Sequence, residues 1–166
     1  MDEQGVDVCL LSVGPDLPWL IGYEAMPLER LTMLVVPRDG DATLVVPRLE
    51  QPRVVERPDV FSVRPWDETE DPVALVASLV GPAGCAAIGD RTWSRFLLAL
   101  QAVLPATRFG PASEVVGPLR AIKDAAEIEA LRTAAGAVDR IAGALQAGEI
   151  PLVGRTEAEG HQRVNF

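Results

Sequence analysis

Four carboxylates within a five-residue span, Asp67, Glu68, Glu70 and Asp71, are the densest group of possible ligands or proton carriers in the chain. Such a group could hold a Ca²⁺ ion through its oxygens or supply a general acid and base. It lacks the alternating Asx positions and central glycine of a Ca²⁺ loop, however, and Pro72 cuts it short. It therefore reads as a solvated loop whose last member, Asp71, caps a helix opening at Pro72. The single histidine, His161, stands close to the end of the sequence, and no His-x-x-x-His or Cys-x-x-Cys spacing occurs. A His- or Cys-rich metal site is excluded on that ground. Ser12, Ser62, Ser78, Ser94 and Ser113 share that one histidine as a conceivable base, and none lies in a Gly-x-Ser-x-Gly elbow. Gly81-Pro82-Ala83-Gly84 follows a helix and has no lysine, so it is not a phosphate loop. Trp19, Trp66 and Trp93 are scattered and read as packing residues. Cys9 and Cys85 sit among small and apolar residues, which predicts two buried free thiols in a reducing compartment. The residue types and spacings thus present no catalytic, cofactor-binding or metal-binding constellation.

The totals narrow the class further. A net charge of −9, with dispersed Lys and Arg, argues against a nucleic-acid partner. A hydrophobic content of 48% supports a packed core. Leu31–Val36 and Phe96–Leu100 fall far short of the roughly 20 apolar residues needed to cross a bilayer. No basic stretch leads into an apolar one at the N-terminus, so no signal peptide is expected and the cytoplasm is the expected location.

The elements follow from pattern. Val6–Ser12 is a strand buried on both faces, and Asp16–Gly22 is one helical turn closed by a left-handed glycine. Leu31–Pro37 and Ala42–Pro47 form a hairpin across Arg38-Asp39-Gly40-Asp41, where Asp39-Gly40 predicts positive φ at both central positions. Leu49–Glu56 reads as a short helix, and Val60–Val63 as a strand ended by Arg64-Pro65. Val73–Val80 is a helix, Cys85–Gly89 a strand, Thr92–Val103 a helix, Thr107–Phe109 an edge strand and Ser113–Leu119 a helix. Strands alternating with helices after a hairpin describe an α/β fold, a mixed sheet with helices on its faces. Asp124 and Glu127 have capping-box spacing, and Ile128, Leu131, Ala135, Val138, Ala142 and Leu145 then recur at alternating three- and four-residue steps, the stripe of a long helix. Gly148, Pro151 and Gly154 end it.

Several of these segments resemble, in order and spacing, the N-terminal domain of the creatinase, prolidase and Xaa-Pro aminopeptidase family, the pita-bread metallopeptidases. They are the strand running into Trp19-Leu20-Ile21-Gly22-Tyr23, then Glu29-Arg30, and then Val46-Pro47-Arg48-Leu49-Glu50. Leu119-Arg120-x-Ile122-Lys123-x-x-x-Glu127-Ile128-x-x-Leu131-Arg132-x-Ala134 is similar to the helix joining that domain to the catalytic one, and Gly154-Arg155-Thr156-Glu157 to the landmark that follows. The resemblance implies a ribonuclease-H-like α/β domain over 1–118, a linker helix over 119–148 and the start of a truncated catalytic domain over 149–159. Residues 160–166 do not continue the pattern and are expected to be a non-native or disordered tail.

The same resemblance implies a non-catalytic domain that forms a homodimer, packs with its own catalytic domain and shapes the mouth of a partner subunit's active site. Peptide substrate would bind only in the full-length protein. Two divalent metal ions (Mn, Co or Zn) would belong to the catalytic domain, none to this fragment, and no catalytic residue is carried over. A creatinase-type amidinohydrolase and a free-standing binding or scaffold module are the alternative readings. If the long helix is a linker, Ala134–Leu145 is its exposed part; if it folds back onto a complete small domain, Val138, Ile141 and Leu145 are buried.

Overall fold

The sheet begins with Val8–Leu11 (β1), whose residues are all buried, because apolar side chains on both faces need a cover on both sides. In the computed structural model, which describes residues 1–151 and 153–164, two units are distinguished, 1–121 and 122–166. The first carries six strands in the order β4-β3-β2-β1-β5-β6: Met33–Pro37 (β2), Ala42–Pro47 (β3), Phe61–Trp66 (β4), Cys85–Ile88 (β5) and Arg108–Pro111 (β6) flank β1. β2 runs antiparallel to both β1 and β3, while the β3–β4, β1–β5 and β5–β6 pairs are parallel. Every strand except β2 therefore points the same way, and five strand C-termini share one end of the sheet.

Alternation along β1 divides the core. Cys9 and Leu11 face a layer containing Leu17 and Ile21 of helix α1 (Asp16–Ile21) and Val116 of α4 (Ser113–Ala121). Val8 and Leu10 face Val76 and Val80 of α2 (Pro72–Val80) and Phe96 and Leu100 of α3 (Ser94–Val103). Each fully buried leucine in these layers contributes roughly 1.5–3 kcal/mol of transfer free energy. Helix α4 contains Pro118, which has no N–H to offer the Glu114 carbonyl one turn earlier; the side-chain amide of Gln4 donates to that carbonyl instead, at 3.3 Å.

Several boundaries differ from the sequence expectation. β4 continues through Arg64 and Pro65 to Trp66, because it is an edge strand where the missing N–H of a proline removes no ladder bond. The expected helix over Leu49–Glu56 is a single 3₁₀ turn, Gln51–Arg53, with Pro52 inside it. In the hairpin only Gly40 has a positive φ, 117°, since the connection is four residues long and Asp39 stays at negative φ. Cys9 is buried but Cys85 is only half-buried, and both thiols are free.

In the second unit, the stretch expected as one helix over 119–148 is divided. Leu119–Ala121 close α4, Asp124 caps, and α5 spans Ala125–Gln146. The capping box is present in full, with the Asp124 carboxylate accepting from the Glu127 N–H at 2.8 Å and Glu127 accepting from the Asp124 N–H at 2.9 Å. No residue of α5 is buried; Val138 is exposed and Ile141 and Leu145 are half-buried. The chain beyond Glu157, where the pattern predicts no helix, forms α6 (Glu157–Val164), opened by a Thr156–Glu159 capping box. A strong cap thus starts a helix that the weak apolar spacing alone does not predict; Asn165 and Phe166 of the expected tail lie outside the described residues.

Candidate functional site

The polar chemistry of the first unit gathers at the sheet end where five strands finish, the usual place for a site in an open α/β sheet. Beyond β3, Glu50 is buried at 6% exposure and accepts a 3.0 Å hydrogen bond from the hydroxyl of Tyr23, itself 4% exposed. Gly22 makes this meeting possible: its φ of 71° turns the chain sharply out of α1 and delivers Tyr23 into the core. Burial, reinforced by the hydrogen bond and the negative charge of Glu50, pushes the Tyr23 hydroxyl up to about 12. Beside this pair the Trp66 indole N–H donates to the Leu31 carbonyl at 2.9 Å, and the Ser12 hydroxyl donates to the Thr32 carbonyl at 2.9 Å. These three bonds tie the ends of β1, β2, β3 and β4 together from inside.

The acidic loop lies just outside them, and each of its carboxylates has a partner. Asp67 accepts from Arg48 at 2.6 Å, Glu68 from Arg30 at 2.7 Å, and Glu70 from Arg64 at 2.8 Å. Asp71 caps α2 by accepting from the Val73 and Ala74 N–H groups. The Arg48 guanidinium holds the Asp67 carboxyl below the usual carboxylate range, and Glu70 is held low first by the Asp67 backbone N–H and then by Arg64. Carboxylates committed to arginines are poor Ca²⁺ ligands, and ones kept ionised are poor general acids. The loop is a solvated ion-pair lattice with a helix cap, as its sequence pattern predicts. Among the described residues, no three His, Cys, Asp or Glu side chains lie together in a way that could hold a metal ion.

The other sequence candidates disperse. Trp66 is buried, whereas Trp19 and Trp93 are partly exposed. His161 lies on α6, in the other unit, at an exposed position. Asp90 accepts from the Ser113 N–H at 3.3 Å at the start of α4, and Asp16 is bound by Arg120 at 2.7 Å. Two features have no counterpart in the sequence reading. One is the Tyr23–Glu50 pair, whose residues are 27 apart; the available signal was a lone tyrosine directly after a helix-ending glycine. The other is an open apolar groove of about 590 Å³ over the Cys9–Leu11 face, between Leu20 of α1, Val36 of β2 and Val115 of α4.

Comparison with known proteins gives this arrangement its relatives. Residues 1–122 match the model of the creatinase/prolidase N-terminal domain. A probable dipeptidase, PepE, of Mycobacterium tuberculosis is 34% identical over 183 aligned positions, covering 99% of this chain and 47% of the relative. The crystal structure of the dipeptidase PepE from Mycobacterium ulcerans superposes with a TM-score of 0.81 at 33% identity, covering 98% of this chain and 44% of that one. A recombinant prolidase from Thermococcus sibiricus superposes with a TM-score of 0.84 at 27% identity, covering 98% and 45%. The chain thus spans about half the length of the relatives it matches.

Proposed function

Because this chain belongs to the creatinase/prolidase N-terminal domain family, with residues 1–122 as the matching domain, we propose that it is the N-terminal, non-catalytic portion of a metal-dependent Xaa-Pro dipeptidase or aminopeptidase of the cytoplasm. The observation that carries the reading is the match, along nearly the whole chain, to about half the length of proteins described as dipeptidases and a prolidase. In this reading the two divalent ions and their ligands belong to the other half of such a protein, where they would supply an activated water.

The residues of this chain supply rigidity and shape. The Tyr23–Glu50 bond, the Trp66–Leu31 bond and the three arginine–carboxylate pairs fix the end of the sheet. A surface held this way can contact a partner subunit without paying to order itself first. The domain would then serve dimerisation and shape the entrance to a partner's active site. The test is direct: the purified 166-residue chain, supplied with Mn²⁺ or Co²⁺, is expected to leave Xaa-Pro dipeptides intact. Metal-dependent turnover that a chelator abolishes would overturn the non-catalytic assignment.

A further inference from the structure

Helix α5 carries a surface that the proposed function does not use. Its apolar residues Ile128, Leu131, Ala135, Val138, Ala142 and Leu145 follow a 3-4-3-4-3 spacing, the a and d positions of a heptad pattern. None is buried: Ile128 is 38% exposed, Leu131 58% and Val138 63%. The order of sizes along the stripe matters. Large residues hold both ends, and alanines hold the inner a positions opposite valine and leucine at d.

We infer that α5 is a self-pairing surface, against which the α5 of a second copy of this chain lies antiparallel. Turned end for end, the stripe fits itself: Ile128 meets Leu145 of the second copy, Leu131 meets Ala142, and Ala135 meets Val138. Each inner layer then sets a large side chain against a small one, the complementarity that close helix packing needs. A parallel pair would set Ala135 against Ala135 and Ala142 against Ala142, leaving two voids.

The charges beside the stripe agree. In an antiparallel pair the e positions face one another. Here they are Arg132 and Asp139, so Arg132 of each copy lies opposite Asp139 of the other, and the two-fold axis makes the attraction twice. Within one chain Arg132 reaches only Glu129, at 3.5 Å on a well-exposed surface, and Asp139 has no ion pair among the described residues. The remaining flanking positions, Ala134 and Ile141, place no like charges together. This pairing is independent of any dimer formed by residues 1–121.

Sedimentation velocity and light scattering on the full chain test it. The mass is expected to rise with concentration from one copy to two, and Val138→Glu is expected to remain one copy throughout with an unchanged far-ultraviolet circular dichroism spectrum. Arg132→Asp and Asp139→Arg are each expected to weaken association by roughly tenfold at low salt, by turning attraction into repulsion at two symmetric places. The combined R132D/D139R variant is expected to restore it to within about threefold. A chain that stays single at its highest soluble concentration overturns the inference. A dimer indifferent to Val138→Glu does so too, while leaving dimerisation through residues 1–121 intact. Failure of the double charge swap to restore association refutes the antiparallel register.

Discussion

Tyr23 is the only tyrosine in the chain, so its ionisation can be followed without interference from another phenol. The structure places its hydroxyl in the core, donating to a buried carboxylate, and raises its pKa to about 12. Against an unfolded value of about 10, two units correspond to roughly 3 kcal/mol of preference for the protonated form. The sign follows from proton binding: above pH 10 the unfolded chain releases a proton that the folded chain keeps. This stability is therefore complete below pH 10 and lost progressively between pH 10 and 12. Tyr23→Phe removes the donor that Glu50 relies on and leaves its buried carboxylate short of a partner. A hydrogen bond to a charged group is worth about 1.5–3 kcal/mol, so the variant should melt roughly 4–12 °C lower at neutral pH. The assay is tyrosinate absorbance against pH in native buffer and in concentrated urea, paired with thermal melts of both proteins. Glu50→Gln keeps an acceptor but removes the charge, so its midpoint should fall while remaining above 10. A native midpoint near 10, or a Tyr23→Phe protein melting within a degree of the parent, would refute the reasoning.

Two further expectations test the core and the acidic loop. Leu10 is fully buried at the centre of the sheet, so Leu10→Ala should cost about 2–5 kcal/mol in urea unfolding, and a loss below 1 kcal/mol would mean that the site collapses or is less packed. Asp71→Ala should cost about 1 kcal/mol by uncapping α2, whereas millimolar Ca²⁺ should leave the melting temperature of the parent unchanged. A calcium-dependent rise would show that the arginine pairs do not exclude the ion.

Local rules were legible wherever the governing contact is close in sequence. The caps at Asp71 and Asp124, the left-handed Gly22 and the alternating apolar strands all depend on neighbours within a few residues, and the structure contains each of them. Pro65 and the segment after Glu157 were misread for opposite reasons. A proline ends a strand only if its N–H would have been needed, which the edge position of β4 decides; the second helix rests on its cap rather than on a stripe.

What the sequence determined by itself was therefore the alternation of strands and helices, the fate of Asp71 as a cap and the register of the α5 stripe. Only the tertiary structure decided that Tyr23 and Glu50 share a proton bond, that Arg30, Arg48 and Arg64 neutralise the acidic loop, and that a groove lies open over Cys9. The reason is distance along the chain. Periodicity and caps record what a residue does with its neighbours, whereas these pairings and the groove arise where strands and helices separated in sequence are brought together by the sheet.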